Sequence, residues 1–140
     1  MGAVEPRQDQ MDELLANAKD ARPLVMINLL RYRDEAAYEA GSGHEPCSGR
    51  EAYDRYGHGV LPLVAKQGGR PIWAGSVLSA PIAPEAEAWD DAVIVEYPSL
   101  QHFIDMTTSE EYLTIAVHRT AALDDSRLIA TQQTLPPREG

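Results

Sequence analysis

Two short apolar runs, Leu24–Tyr32 (LVMINLLRY) and Ala92–Tyr97 (AVIVEY), constrain this chain more than any other feature. Both favour strands, and both fall far short of the ~20 apolar residues a membrane span needs. Pro23 opens the first by stopping any preceding helix. The second lacks alternation, the pattern of a central strand covered on both faces. Between them, Arg50–Gln67 places Tyr53, Tyr56, Val60, Leu63 and Val64 at helical intervals and stops at Gly68-Gly69. Arg70–Leu78 predicts a strand. Pro98-Ser99 opens a short helix, and Ser109 followed by two acids opens another, with Tyr112, Ile115, Ala116, Arg119 and Leu123 on one side. Ser126–Leu135 predicts the last strand. Met11–Lys19 adds a leading helix with Asp9 as its N-cap, after a loose arm over residues 1–10.

Stripped of that helix, the order is β-α-β-β-α-β, a ferredoxin-like split motif in the α+β class, with both helices on one face of an antiparallel sheet. The domain is expected over residues 24–135, with residues 1–23 as arm and helix and 136–140 as tail. The other sheet face would be bare. With Val25, Ile27 and Leu29 turned to the helices, Met26, Leu30 and Tyr32 would form an apolar surface that soluble proteins rarely expose, and a second copy would cover it.

Charge narrows the partners. Twelve basic residues against 22 acidic ones give −10, with only two lysines and no basic cluster, which argues against nucleic acid and against a polybasic membrane contact. The start MGAVEPRQDQMDELL lacks an apolar signal stretch, and the one cysteine, Cys47, has no partner for an internal disulfide. The expectation is a soluble, cytoplasmic, acidic domain.

The series VMINLLRY, YDRY…VLPLVAKQGGR, WDDAVIVEYPS and SEEY…HRTAAL resembles domain-of-unknown-function family 1330, small proteins of the dimeric α/β-barrel superfamily. The resemblance spans roughly residues 24–132. It implies a ferredoxin-like protomer, a homodimer whose sheets form a barrel, and a pocket in each half, without supplying a reaction. The wider superfamily resembles a collection of cofactor-free monooxygenases, isomerases, lyases and haem-handling proteins. The leading helix and the long Asp34–Gly49 loop with His44 and Cys47 depart from the family's compact form.

Candidate site residues follow from chemistry out of place. Glu96 sits inside an apolar strand, where a carboxylate needs a partner or a raised pKa, so it is read as a general acid or base, or else as a structural Glu paired with an Arg. Asn28 breaks the first strand and would share a face with Glu96 on the neighbouring strand, or else bond backbone. Arg119 would bind a substrate carboxylate or pair with Glu96. Tyr56, Tyr112 and Trp89 are expected as the aromatic wall, and His58, between two glycines, as a further contact; packing explains each of the aromatics as well. His102 and Asp105 stand three apart, and His118 precedes Arg119. There is no metal-ligand spacing, no G-x-G-x-x-G and no P-loop, so no cofactor is expected. The sum is a cofactor-free enzyme acting on a small, largely apolar organic molecule by isomerase, cyclase, lyase or monooxygenase chemistry. The alternatives are a non-catalytic small-ligand-binding or stress-related dimer, and a haem-handling protein using His58 or His118.

Overall fold

The structure is a computed structural model and describes residues 2–18 and 22–136. In chain order it contains α1 (Gln8–Asn17), β1 (Leu24–Tyr32), α2 (Gly49–Lys66), β2 (Arg70–Ser76), β3 (Asp91–Tyr97), α3 (Leu100–Thr107), α4 (Glu110–Ala122) and β4 (Leu123–Thr131). The strands form one sheet in the order β2-β3-β1-β4, and every neighbouring pair is antiparallel. This is the ferredoxin-like βαββαβ arrangement with an extra N-terminal helix. The expected neighbours β1 and β3 are adjacent, and β4 closes the other side of β1.

The helices end where their chemistry dictates. Ser48 caps α2 through a reciprocal box, its Oγ accepting from the Glu51 N–H while the Glu51 carboxylate accepts from the Ser48 N–H. Gly68, at φ +77°, takes the left-handed conformation that lets the Gly69 N–H reach the Val64 carbonyl at 2.9 Å. Ser99 and Ser109 cap α3 and α4. The start of α1 differs from expectation: the capping position is Arg7, without a side-chain cap, and Asp9 lies in the first turn paired with Arg7 at 2.7 Å. Its predicted last residue, Lys19, lies outside the described residues, as do residues 137–140 of the tail.

Along β1, burial alternates: Leu24, Met26, Asn28 and Leu30 are buried, while Val25, Ile27 and Leu29 are half-buried. The even positions therefore face the helices, the reverse of expectation. Leu24 and Met26 pack with Tyr56, Val60, Val64, Tyr97, Phe103 and Met106, and Leu30 packs with Ala52, Ala122 and Leu123. Met11 and Leu14 of α1 extend the first cluster. Complete burial of Leu24, Leu30 and Leu123 contributes about 1.5–3 kcal/mol for each side chain. The opposite face carries Val25, Ile27 and Leu29, flanked in register by Ile94 of β3, Ile129 of β4 and, across β3, Trp73 of β2. Trp73 is 61% and Ile129 47% exposed, so an apolar open face does exist, with other residues than those expected. It also corrects the reading of β3, which is central but has only one face covered by helices.

The arm is docked rather than loose. The Ala3 N–H donates to Asp125 at 2.8 Å, the Ser126 hydroxyl donates to the Ala3 carbonyl at 2.7 Å, and Val4 packs against the Leu30–Leu123 cluster.

Candidate functional site

Because β1 turns its even face to the helices, Asn28 points into the layer between sheet and helices. There its amide donates to the Val93 carbonyl at 3.1 Å. From α2 come Tyr53 and Tyr56, one turn apart, and from α4 come Tyr112 and Arg119. The Tyr53 and Tyr56 rings lie 5.4 Å apart, Tyr56 meets Tyr112 edge-on at 6.2 Å, and the Tyr56 and Tyr112 hydroxyls are 3.1 Å apart. Tyr97, at the end of β3, is buried in the same core cluster as Tyr56. α2 and α4 approach closely because Gly59 lies against Ile115, where a Cβ would come within 2.6 Å of the isoleucine's Cγ2.

Burial pushes the Tyr53 phenol up, and the Arg119 charge pulls partly against it. The same burial, reinforced by Tyr112, drives Tyr56 far above the ordinary tyrosine range, again opposed by Arg119. Tyr97 is raised by burial as well. Tyr53, Tyr56 and Tyr97 are therefore neutral hydrogen-bond donors at any physiological pH. They suit stabilisation of charge developing on an oxygen better than removal of a proton. Arg119 donates to the Val4 carbonyl of the arm at 2.8 Å.

Four expected residues, Asn28, Tyr56, Tyr112 and Arg119, thus lie on the helix side of the sheet, with Tyr56 and Tyr112 in contact. Three do not join them. Glu96 stands opposite Val25 in register, on the open face, whereas Asn28 stands opposite Val93, so the two lie on opposite faces. Glu96 pairs with Arg70 at 3.6 Å, and not with Arg119. Trp89 lies with its ring 4.9 Å from the guanidinium of Arg127, which stands opposite Leu29 on the open-face side, so it walls no common pocket with Tyr56. His58 is exposed on α2 and bonds its own helix, Nδ1 to the Asp54 carbonyl at 2.8 Å. The common pocket of Asn28, Glu96 and Trp89 is corrected by this reversal of faces. His102 bonds Ser99 and Asp105 bonds Gln101, so that spacing forms no pair.

A second cluster, invisible in the spacing, lies in the Asp34–Gly49 loop. Tyr38 accepts from Arg55 of α2 at 3.2 Å and bonds His118 Nδ1 of α4 at 2.7 Å, and His44 stacks on the Tyr38 ring at 4.8 Å. Burial, His44 and Arg55 all hold His118 below its ordinary value. The base of the loop is stitched down by the Ala37 N–H on the Ala121 carbonyl and the Gly49 N–H on the Arg33 carbonyl. Ala36, Tyr38 and Cys47 pack over the Leu30–Leu123 cluster beside Tyr53, so this loop and Val4 together cover that end of the layer. Surface hollows of about 490 and 270 Å³ lie along Arg31–Glu35 and within the loop itself, and neither is lined by Tyr53, Tyr56 or Tyr112. Among the described residues no group of three His, Cys, Asp or Glu side chains is placed to hold a metal ion, and no helix is long and apolar enough to cross a membrane.

The chain is similar over nearly its whole length to a protein of unknown function from Rhodopseudomonas palustris, RPA0582. The two are 34% identical over 97% of this chain and all of that one, with a TM-score of 0.87, and a methylated form gives 35%, 98% of each chain and 0.87. A hydroxynitrile lyase from Passiflora edulis shares the fold at 14% identity and a TM-score of 0.55, over 82% of this chain and 96% of that one. A dimeric, ferredoxin-like protein of unknown function from Bacteroides fragilis does so at 16% and 0.51, over 79% and 96%. No curated protein matches the sequence. The family model described as Domain of unknown function (DUF1330) matches residues 44–132, the larger part of the chain, and together with the likeness to RPA0582 it shows that the chain belongs to that family.

Proposed function

We propose that the protein is a homodimeric, cofactor-independent enzyme that takes a small, largely apolar organic molecule into the layer between sheet and helices. The observation that carries this is the placing of phenols, an amide and a guanidinium inside an otherwise apolar layer. Burying polar groups costs free energy that an apolar core of the same volume would avoid. The chemistry that fits is isomerisation, cyclisation, lyase cleavage or oxygenation in which negative charge builds on a carbonyl or phenolic oxygen. Neutral Tyr53 and Tyr56, with the Tyr112 hydroxyl beside Tyr56, donate to that oxygen, and Arg119 supplies charge nearby. A hydroxynitrile lyase on the same fold supports the architecture as a host for small-molecule chemistry, by analogy alone.

The homodimer rests on the open face. Val25, Ile27, Leu29, Ile94, Ile129 and Trp73 form one contiguous apolar sheet surface, and a second copy buries it through a two-fold contact. The dimeric Bacteroides fragilis protein has the same fold.

Non-catalytic binding of a small ligand is the second reading. No carboxylate is among the buried side chains of the described residues, so none stands ready there as a base. The haem-handling reading through His58 or His118 is less supported, because His58 is exposed on its own helix and His118 is tied to Tyr38.

Mass spectrometry of small molecules released by denaturing the purified dimer, followed by incubation of those molecules with fresh protein, tests the proposal. Turnover that falls about 10²-fold or more in Tyr112→Phe is the expected result, the scale of losing one donor to a developing oxyanion. Saturable binding without turnover favours the second reading. Neither binding nor turnover overturns both.

A further inference from the structure

We infer that the molecule taken by this site carries a carboxylate, which Arg119 receives in place of the Val4 carbonyl. The inference rests on the proposed interior site and adds the class of its ligand.

Arg119 shares the lack of a carboxylate partner with Arg33 and Arg55, and differs from them in that its charge acts on the interior phenols Tyr53 and Tyr56. The chain has 22 acidic residues against 12 basic ones, and five of the nine arginines among the described residues, Arg7 with Asp9 included, meet a carboxylate. Arg31 meets Asp124 and Asp125, Arg50 meets Asp91, Arg70 meets Glu96, and Arg127 meets Asp125 and Glu87. Among the described residues, Arg119 has no carboxylate within ion-pair distance, although it is half-buried and stands beside phenols. One backbone carbonyl, that of Val4, accepts from it. A guanidinium offers five N–H donors in a planar fork that fits a carboxylate through two parallel bonds, and a single carbonyl uses little of that capacity.

Val4 belongs to the arm, held nearby through Ala3 by Asp125 and the Ser126 hydroxyl. An exchange of acceptor on Arg119, carbonyl for carboxylate, releases only this short piece of chain and leaves the sheet intact. It also opens the layer where Val4 covers the cluster beside Tyr53. Behind Arg119 lie the Tyr53 and Tyr56 rings, whose faces suit an aromatic or alicyclic body, and phenolic hydroxyls that donate to any remaining carboxylate lone pair. A small ring acid matches all three features: charge at Arg119, donors beside it, and an apolar end among the rings.

Calorimetric titration of the whole protein with benzoate and with benzamide, which has the same shape without the charge, tests the inference. The expected result is benzoate at least tenfold tighter than benzamide, with Arg119→Gln bringing benzoate down to the benzamide level and leaving benzamide unchanged. A second readout needs no variant: amide hydrogen exchange at Ala3 and Val4 rises when benzoate is bound and not when benzamide is. Equal affinities, or exchange at the arm that ignores benzoate, overturn the carboxylate while the interior site stands. Failure of both compounds to bind overturns the carboxylate together with the site.

Discussion

Replacing Gly49 by alanine adds one methyl group at the point where the start of α2, the end of β1 and the end of α4 meet. The Gly49 N–H donates to the Arg33 carbonyl at 3.1 Å, and the Arg33 N–H donates to the Ala122 carbonyl at 2.9 Å. A Cβ at Gly49 would press into the Arg33 carbonyl oxygen and come within 2.6 Å of the Ala122 oxygen and 2.8 Å of the Arg33 nitrogen. All three atoms are backbone, so no rotamer change relieves the contact. The segments must separate, which weakens two hydrogen bonds at about 0.5–1.5 kcal/mol each and adds overpacking of about 1–3 kcal/mol. Alanine's helix preference returns at most about 1 kcal/mol, and less at a first-turn position. The expected loss is therefore about 2–4 kcal/mol, or a fall in Tm of about 6–12 °C for a domain of this size. Gly57, two turns later in the same helix, is the control, because nothing lies within 4 Å of its would-be Cβ. Gly57→Ala should gain up to about 1 kcal/mol from helix propensity alone. Thermal and urea unfolding of both variants decide it. Gly49→Ala as stable as the parent, or Gly57→Ala falling as far as Gly49→Ala, would refute the reasoning.

The other expectations are these. Ile27→Asp, in the middle of the open face, should convert a dimer of twice 15.4 kDa into a folded monomer by light scattering, whereas a parent that is already monomeric removes the proposed interface. Tyr56→Phe, which deletes the hydroxyl 3.1 Å from that of Tyr112, should cost about 1 kcal/mol in denaturant unfolding. The hold on the 38–46 segment should weaken with acid: His118 lies below its ordinary 6.5, so the neutral ring belongs to the closed loop. That hold is complete above pH 6.5 and is lost as pH falls from there through the lowered value, because a charged His118 then faces Arg55 and His44 with Glu51 as the acid near Arg55. Amide exchange across the segment should rise over that window and be high at all pH values in Tyr38→Phe. Glu96→Gln should leave ligand binding and turnover unchanged, because Glu96 faces away from the phenols.

The element order, the limits of α2 and the starts of α3 and α4 were legible because each rests on local chemistry: the Pro23 stop, the Ser99 and Ser109 caps and the 3.6-residue spacing of α2, whereas Leu123, expected on the last helix, opens β4. The orientation of β1 was not. Both of its faces are apolar, one against the helices and one open, so alternation identifies a strand without saying which side is inside. Asn28, the one polar interruption, went inward with Leu24, Met26 and Leu30. That single inversion took Asn28 to the helix side, with Tyr56 and Tyr112, and left Glu96 and Trp89 without it on the open-face side. Tyr38, His44, Arg55 and His118 were unreadable as a group for a different reason. They come from a loop and two helices, and only the stitching of residues 33–37 onto the end of α4 brings them together.

The most direct test of the interior layer as the ligand site is ring NMR of tyrosine- and tryptophan-labelled protein during titration with benzoate. Saturable shifts should appear at Tyr53, Tyr56 and Tyr112, while Trp73 and Trp89, on the open-face side, stay still. Shifts at the two tryptophans with silent tyrosines would place the site on the other side of the sheet and contradict the proposal.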